Sequence, residues 1–576
     1  MADPVASQPQ DRDLASIAEA RALARRARQA ANALGELSQV QIDAIVAAVA
    51  ETATANAEIL ARLAVDETGF GVYEDKIQKN LFASQKVYAF IKPMKTVGVI
   101  ARHEDRRVIE IAEPFGVVAA IVPSTNPTST AIYKILIALK ARCSLVISPH
   151  PSAVKCITRT AELLADAARR AGAPDGSVNW MTTVSLEGTQ ELMRQREVAV
   201  ILATGGMGLV RAAYSAGKPA YGVGPGNAPA YIERTADVRK AVRDIITGKT
   251  FDNGVLCSSE NSVVVDAPIA EQVKREFQTQ GAHFLSKADT EKVAKVLVTP
   301  QRLPNPALVG KSAVIIAAAC GVAVPDTTKV LIAELDGVGR DYPLSIEKLC
   351  PVLSFYVVSD WREGCERCKQ ILRYGGMGHT MGIHSQNEQV ILEFGLKKPA
   401  FRIAVNTPTT FGSTGISTGL DAAMTLGCGG FGGNITSDNI TPRHLLNVKR
   451  LAYEITSVPN RFERASGKTT LPSAPKPAAN VGISAEVLTQ RIDQFLGARG
   501  IKPATAAPSA SATPDVSRAQ PSTESDKPLD FVCEEDVRLA LRDGRTLLVS
   551  ERAIVTPSAR DLAERTQTIR IAPLRR

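Results

Sequence analysis

The sequence predicts an α/β protein built on two doubly wound parallel sheets. In its first half, the buried strands Val117–Val122 and Leu145–Ser148 are separated by helical sequence, and the strand-like run Val198–Leu202 follows another helix. Strands that alternate with helices of about ten to twenty residues indicate βαβ units and a parallel sheet. Ligands of such sheets bind at the carboxyl ends of the strands, where this sequence has polar or glycine-rich loops.

The segment before the first of these strands is predicted to be helical. Residues 13–35 have the apolar spacing of an amphipathic helix, and Ser38 with Gln41 forms a capping-box pattern at the start of the next helix. Helical sequence then continues to about residue 92.

The second half repeats the alternation of strands and helices. Strands are predicted at Ser262–Val265, Ala313–Ala317 and Leu353–Val358, with helices between them. The segment 411–442 is dense in glycine and is predicted to be a loop.

Composition excludes several classes of protein. At 576 residues the chain is too long for one core, so two large domains are expected. It has no run of about 18 apolar residues and Met1–Gln10 lacks a secretory signal pattern, so we expect neither a membrane span nor secretion. Nine cysteines without regular spacing fit a reducing cytoplasm. The net charge of +9 comes without a basic cluster interleaved with aromatic residues, which argues against nucleic-acid binding.

The turn that contains Cys257 is the first candidate for chemistry. Cys257 follows a turn at Gly254 and precedes Ser258, Ser259 and an apolar strand. Small residues leave a thiol accessible and leave backbone N–H groups free to hold an oxyanion. The local pattern fits a nucleophilic cysteine and a buried structural cysteine about equally well. A thiol hydrolase with His379 as its base is a rival, although no acidic partner is identifiable.

Other motifs give weaker signals. The stretch Thr204–Gly208 is not a complete G-x-G-x-x-G fingerprint, and alone it is weak evidence for a dinucleotide. Cys365 and Cys368 form one CxxC pair in helical sequence without a second pair, which favours a structural role over metal binding. The histidines are scattered, so we predict no metal site.

Several short motifs occur in one order along residues 10–460. They are Pro123-Ser-Thr-Asn-Pro-Thr128, Ser148-Pro-His-Pro151, Ala203-Thr-Gly-Gly206, Gly222-Val-Gly-Pro-Gly-Asn227, Gly254-Val-Leu-Cys-Ser-Ser-Glu260, Gly378-His-Thr380 and Pro442-Arg-His-Leu-Leu446. This set resembles the CoA-acylating branch of the aldehyde dehydrogenase superfamily. That branch includes the propionaldehyde and acetaldehyde dehydrogenases of bacterial microcompartments. The resemblance implies an aldehyde dehydrogenase-like fold with two Rossmann-like domains.

The resemblance also implies roles for individual residues. Cys257 occupies the position of the family's nucleophile, and Asn126 that of an amide that donates to the oxyanion. Glu347 matches the glutamate that holds the nicotinamide ribose. The other implied NAD-binding residues lie in the loops after the strands: Pro123, Ser124, Thr125, Ser148, Pro149, His150, Thr204, Gly205, Gly206, Gly222 and Gly224. His379 and Arg402 are candidate substrate contacts, and Arg402 has a structural role as its alternative.

One departure from the family pattern concerns the acyl acceptor. Where hydrolytic aldehyde dehydrogenases carry a glutamate that activates water, this chain has Gly222–Asn227 without an acid. A thiol needs less activation than water, so coenzyme A is the expected acceptor. The expected reaction converts propionaldehyde or acetaldehyde to its acyl-CoA with NAD+, and sulfoacetaldehyde and succinate semialdehyde are the alternatives. NADP also stays open, because His150 replaces a lysine that many family members place near the adenosine ribose.

The composition changes again near residue 465. Linkers rich in proline, alanine and serine are predicted at 466–480 and 501–529. Between them, 481–500 is predicted to contain an isolated amphipathic helix that Ser484 caps. Its apolar face consists of Val487, Leu488, Ile492, Phe495 and Leu496.

The tail resembles the extensions of microcompartment enzymes. Residues 530–576 are predicted to be a small module with a helix at 534–542 and a strand at 546–549. Short amphipathic helices behind such linkers are typical encapsulation peptides, so the resemblance implies a shell-protein partner for 481–500 and a cytoplasmic location inside a microcompartment. The alternatives are a helix that packs on the enzyme's own dimer and, more remotely, a non-catalytic shell-binding scaffold.

The predicted elements and linkers divide the chain into a series of expected segments. They are an NAD-binding domain at 10–230, a catalytic domain at 231–440, an oligomerisation segment at 441–465, a linker at 466–480, the helix at 481–500, a second linker at 501–529 and the module at 530–576. A homodimer or a dimer of dimers is the expected assembly.

Overall fold

The structure is a computed structural model that describes residues 9–458, 460, 484–499 and 529–571. The chain divides into two compact units, Met1–Val458 and Pro459–Arg576, which are described separately. In the described residues the first unit contains three sheets and the second contains one.

The first unit begins with helices, as predicted. They are α1 (Pro9–Gly35), α2 (Gln39–Ala55), α3 (Ala57–Thr68), α4 (Tyr73–Leu81) and α5 (Tyr88–Ile91), with a π-helical segment at Phe82–Val87 between the last two. The Ser38 hydroxyl accepts from the Gln41 N–H and the Gln41 side chain accepts from the Ser38 N–H, so the capping box at α2 is confirmed. Strands β1 (Gly98–His103) and β2 (Val108–Pro114) follow.

The first parallel sheet has five strands. They are β3 (Val117–Val122), β4 (Ser144–Pro149), β5 (Val178–Trp180), β6 (Val198–Thr204) and β7 (Ala220–Val223), joined by α6 (Pro127–Lys140), α7 (Val154–Arg170), α8 (Leu186–Arg194) and α9 (Met207–Tyr214). The strand order is β5-β4-β3-β6-β7. β3 and β4 are buried along their whole length, because apolar clusters cover both faces of the sheet. The order reverses between β3 and β6, which is where doubly wound sheets bind ligands.

The second parallel sheet has seven strands. They are β8 (Ala228–Ile232), β9 (Glu260–Asp266), β10 (Ala282–Phe284), β11 (Val330–Glu334), β12 (Val352–Val358), β13 (Gly378–His384) and β14 (Ala400–Val405). The strand order is β10-β11-β12-β9-β8-β13-β14. Its helices are α10 (Val238–Thr250), α11 (Ala270–Thr279), α12 (Lys287–Leu297), α13 (Ala313–Ala319), α14 (Trp361–Tyr374), α15 (Glu388–Leu396) and α16 (Thr409–Gly412). The predicted α/β class with two parallel sheets is therefore confirmed, and the chain crosses between the sheets at 224–227.

One strand prediction in this half is wrong. Ala313–Ala317 lies in helix α13, and the Ser312 hydroxyl caps its first turn. Alanine favours a helix, and the exposure follows a helical period, since Ala313 and Ile316 are buried while Ile315 is 53% exposed. The strand of this region, β11, lies further along the chain.

The chain of the first unit ends by returning to its third sheet. β15 (Leu446–Ala452) pairs antiparallel with β2, which gives the order β1-β2-β15. The glycine-dense segment 411–442 is mostly irregular, with a 3-10 turn at Gly430–Gly432, so the loop prediction is confirmed. In the part of the chain that the structure describes, no single helix is long and apolar enough to cross a membrane.

The second unit contains an isolated helix and a small module. Helix α17 (Ala485–Gly497) is capped by Ser484, as predicted, and it exposes Val487, Leu488, Ile492 and Phe495. The module consists of β16 (Leu529–Val532), α18 (Glu534–Arg542), β17 (Leu547–Val555), α19 (Pro557–Thr566) and β18 (Ile569–Ile571). Its strands are parallel and share one small core with both helices.

The predicted helices at 485–497 and 534–542 are present in the described residues of this unit. α18 has the predicted bounds, whereas β17 is longer than the predicted strand at 546–549. The linkers predicted at 466–480 and 501–529 lie outside the described residues, apart from Leu529.

Candidate active site

The turn before Cys257 is built around a buried aspartate. Asp252 and Asn253 have left-handed backbones, with φ of 49° and 52°, which aspartate and asparagine tolerate better than most residues. The Asp252 carboxylate accepts a hydrogen bond from the Val72 N–H at 2.7 Å and contacts the ammonium groups of Lys76 and Lys79. These contacts from α4 hold the turn in a conformation that would otherwise be costly.

Cys257 itself lies beside a histidine from the second sheet. Its Sγ is 3.2 Å from Nε2 of His379, near the start of β13, and Nδ1 of His379 is 3.0 Å from the Thr380 hydroxyl. Burial raises the pKa of the Cys257 thiol to about 12, and Glu347 and Cys428 add to this shift. Burial and the nearby Arg402 lower the pKa of His379 to about 3. The pair is therefore neutral at pH 7, with the thiol within hydrogen-bond distance of the imidazole.

The close approach of the Cys257 carbonyl requires glycine at position 226, just before the second sheet. A Cβ at this position would stand 1.9 Å from the Cys257 carbonyl oxygen, so any side chain would displace the nucleophile's turn. The Gly226 N–H donates to Oε1 of Glu347 at 2.8 Å. Burial raises the pKa of Glu347 to about 8, although this hydrogen bond lowers it.

A cavity of about 430 Å³ lies where the strands of the first sheet end; we refer to it as the strand-end cavity. Its wall brings together most of the predicted site residues: Pro123, Ser124, Thr125, Asn126, Ser148, Pro149, His150, Thr204, Gly205, Gly206, Gly224, Cys257 and Glu347. Gly222 lies outside the wall, in β7, where its carbonyl accepts a hydrogen bond from the Tyr214 hydroxyl at 3.1 Å.

The strand-end cavity fits a dinucleotide. The Thr204 hydroxyl on its wall is buried without a hydrogen-bond partner in the structure, so it is free to bind a ligand group. A Cβ at Gly205 would come within 2.7 Å of the Leu209 side chain, so any other residue there would displace Leu209 on the same wall. Helix α9 begins directly after Gly206, and a helix N-terminus favours phosphate groups.

A second cavity of about 330 Å³ is lined in part by Phe251 and Leu256, which precede Cys257; we refer to it as the aromatic cavity. Phe82, Phe251 and Phe411 lie on its wall together with Leu256, the residue before Cys257. Phe251 and Phe411 pack edge to face with ring centroids 4.9 Å apart. The sequence analysis missed this cavity, because its residues come from segments far apart in the chain and match no motif.

Arg402 is in neither cavity wall. Its guanidinium donates to the carbonyls of His379 at 2.8 Å, Gly427 at 2.6 Å, Ser437 at 2.9 Å and Gly378 at 3.2 Å. These bonds leave little of the group for a substrate, which favours the structural alternative. His379 also lies outside both cavity walls, and its contact with the site is the one between its Nε2 and the Cys257 sulfur.

The sequence analysis also missed a lysine that contacts Asn126. Lys79 donates a hydrogen bond from Nζ to Oδ1 of Asn126 at 2.6 Å and contacts the Asp252 carboxylate. A buried lysine on a helix that lies far from the motifs in sequence gives no local signal, because isolated lysines are mostly surface residues.

The remaining motifs stay outside this site. Cys365 and Cys368 are buried on α14, where Cys365 contacts the Lys398 ammonium. In the described residues no group of histidine, cysteine, aspartate or glutamate side chains has the arrangement of a metal site.

Residues 5–300 match the Aldehyde dehydrogenase family, and the chain belongs to that family. It is 42% identical over 443 residues to the bifunctional aldehyde-alcohol dehydrogenase of Escherichia coli K12, across 76% of this chain and 50% of that protein. The chain thus spans about half the length of such bifunctional relatives. It is 40% identical to the succinate-semialdehyde dehydrogenase (acetylating) of Clostridium kluyveri, across 75% of this chain and 95% of the relative.

Solved structures of acylating enzymes share the fold. An acetylating aldehyde dehydrogenase from Geobacillus thermoglucosidasius is 49% identical, with a TM-score of 0.77 over 78% of this chain and 99% of that one. A propionaldehyde dehydrogenase from the fucose utilisation bacterial microcompartment of Clostridium phytofermentans is 28% identical, with a TM-score of 0.68 over 75% and 96%. A propionaldehyde dehydrogenase from Rhodopseudomonas palustris, solved with bound CoA and an acylated cysteine, is 26% identical, with a TM-score of 0.68 over 75% and 97%.

Proposed function

We propose that this protein oxidises a short aldehyde to its acyl-CoA, with NAD+ and coenzyme A, through a thioester on Cys257. The observation that carries the proposal is the half-buried thiol of Cys257 beside a neutral His379, in a turn whose residues line two cavities. The acylated cysteine of the Rhodopseudomonas palustris relative supports the same intermediate.

In the proposed reaction, Cys257 and His379 act together. The thiol sulfur attacks the aldehyde carbon while Nε2 of His379 takes its proton, so that a free thiolate with an unfavourable pKa need not accumulate. The resulting oxyanion accepts hydrogen bonds from the Asn126 amide and the Cys257 N–H. A bound oxidised nicotinamide would supply the acceptor for the hydride that this carbon loses, so that an acyl thioester remains on Cys257. The CoA thiol then attacks that thioester and releases its proton to solvent, while His379 returns its proton to the Cys257 sulfur as that sulfur leaves.

The charges of the strand-end cavity favour NAD+ over NADP+. No lysine or arginine is among the described residues on its wall, so the cavity offers no ordinary partner for a 2′-phosphate. His150 is on the wall, but burial lowers its pKa, and it is neutral at pH 7. Glu347 and Thr204 are the proposed contacts of the sugar and phosphate groups.

The aromatic cavity favours an uncharged aldehyde such as propionaldehyde or acetaldehyde, because aromatic and aliphatic side chains dominate its wall. One observation favours a second candidate, a carboxylated aldehyde such as succinate semialdehyde. The exposed Lys86 lies on the wall of this cavity, where its ammonium could bind the carboxylate of such a substrate.

We also propose that α17 directs the enzyme into a bacterial microcompartment and that the enzyme is a homodimer or a dimer of dimers. The exposed apolar face of α17 supports the first proposal, and the exposed Tyr453, Ile455 and Val458 after β15 support the second. A chain truncated after residue 465 should keep its activity and stop co-purifying with shell protein. If it still enters compartments, and residues 481–500 fail to direct a fluorescent protein there, the module at 530–576 becomes the candidate.

The activity is tested by following NADH at 340 nm while propionaldehyde, NAD+ and coenzyme A are added in turn. The proposal expects sustained reduction only when all three are present, and none in Cys257→Ala. Cys320→Ala, at a buried cysteine outside the site, is the matched control. Turnover of a thioester without NAD+ would favour the thiol hydrolase, and no turnover of any kind would favour a binding protein.

A further inference from the structure

Asn126 does not act as an ordinary helix cap. It occupies the N-cap position of α6, where an asparagine oxygen usually accepts a hydrogen bond from the N–H of the first turn, but its side chain makes no such bond. The oxygen instead accepts from Lys79 at 2.6 Å. Lys79 is buried, and burial lowers the pKa of its ammonium to about 8 in spite of the neighbouring Asp252.

The ammonium decides which way the Asn126 amide faces. Because an ammonium only donates hydrogen bonds, the amide must turn its oxygen, not its nitrogen, toward Lys79. Nδ2 then faces away from Lys79 and donates to the Thr125 hydroxyl at 3.2 Å, a weak bond that an oxyanion can replace. We propose that Lys79 is a positioning residue, which holds the Asn126 amide with its NH₂ group available to the oxyanion formed on Cys257.

Asp252 links Lys79 structurally to the turn that carries the nucleophile. The same buried carboxylate contacts Lys79 and lies in the turn that precedes Cys257. One group therefore positions both the amide that stabilises charge and the thiol on which the charge develops. Lys76 also binds this carboxylate, at 3.1 Å, but its other hydrogen bond goes to the Thr125 carbonyl and not to Asn126.

The inference rests on the proposed oxidation, so the wild-type NADH assay comes first. If the wild type reduces NAD+, a double-mutant cycle with Lys79→Met and Asn126→Ala tests the positioning role of Lys79. Asn126→Ala should lower kcat by about 10²–10³, the usual loss of one oxyanion donor. Lys79→Met should lower kcat by about 10–10², as a misplaced group does, with the KM for NAD+ unchanged. The double variant should be no slower than Asn126→Ala.

Lys140→Met is the matched control, because Lys140 is a buried lysine that contacts Asp43 and the Lys92 carbonyl and no residue of the site. It should keep the wild-type kcat. Lys76→Met removes an ammonium from the same carboxylate without contacting the Asn126 side chain, so it measures the contribution of the Asp252 turn and should lower kcat less than Lys79→Met does. Losses that multiply in the double variant, or equal losses in Lys76→Met and Lys79→Met, would overturn the inference and leave Lys79 a structural role. Lys79→Gln is the second variant if Lys79→Met does not fold, and failure of both to fold would also assign Lys79 to stability. An inactive wild type would instead refute the proposed function.

Discussion

The two cavities lined by residues of the Cys257 turn are built in different ways. The strand-end cavity is walled mainly by loops that follow strands of the first sheet, and three of its residues are glycines. The aromatic cavity is walled by residues of α4, the π-helical segment, the turn at Phe251 and the irregular segment around 411–424. A wall of contiguous loops is tied to the strands that carry those loops, whereas a wall of side chains from separate segments changes with single substitutions.

This difference indicates how specificity is divided in the protein. The first cavity suits a ligand of fixed structure, such as a cofactor, and the second suits a ligand that differs among related enzymes. Substitutions inside and outside the two walls test this division.

His379→Ala should have the largest effect. His379 contacts Cys257 but neither cavity, so kcat should fall by about 10²–10⁴, the usual contribution of a general base. The KM values for aldehyde and NAD+ should stay within about twofold, since uniform binding is not affected. Steady-state NADH kinetics measure all three. A large rise in either KM would place His379 in a binding wall and contradict the division.

The reaction of Cys257 with iodoacetamide should depend steeply on pH. Its raised pKa of about 12 means that the thiolate fraction is small at pH 7 and increases with pH. The inactivation rate should therefore rise about tenfold per pH unit between about pH 7 and 9. Loss of activity over time at three pH values checks this, with Cys257→Ala as the protein that must stay unlabelled at this site. A rate that levels off below about pH 8 would show a stabilised thiolate.

A pair of substitutions should separate the two cavities. Phe411→Ala removes an aromatic wall and should raise the KM for propionaldehyde about tenfold or more, while the KM for NAD+ is unchanged. Gly205→Val places a branched side chain on the strand-end wall and should raise the KM for NAD+ by a similar factor, while the aldehyde KM is unchanged. If both variants change both constants, the two cavities are not independent.

Lys86→Met should have the smallest effect and act on one substrate class. An exposed ion pair contributes about 0.2–1 kcal/mol, so the KM for succinate semialdehyde should rise about two- to fivefold if Lys86 binds the carboxylate. The KM for propionaldehyde should not change. Lys92→Met, at a lysine outside this cavity wall, is the control, and equal behaviour of both variants would remove the second candidate substrate.

The sequence predicted the strand-end cavity well and the aromatic cavity not at all, for a physical reason. A loop after a strand is contiguous, so its residues share a short motif, and most of those motifs lie on one wall. Phe82, Phe251 and Phe411 meet only after the chain has folded. The contact of Lys79 with Asn126 and the contacts of Arg402 with backbone carbonyls also join segments far apart in the chain. The sequence therefore does not predict them. The short apolar run Ala313–Ala317 has no decisive period, so its sequence fits a strand as well as the helix that it forms.

The π-helical segment at Phe82–Val87 has a consequence for how the fold can absorb a change in chain length. Phe82, Gln85 and Lys86 of this segment all lie on the wall of the aromatic cavity. A π-helical turn holds about one residue more than an α-helical turn, so deleting one residue there would restore an α-helix and leave the chain after it facing the same way. Such a deletion would change the set of side chains on the cavity wall without repacking the helices on either side.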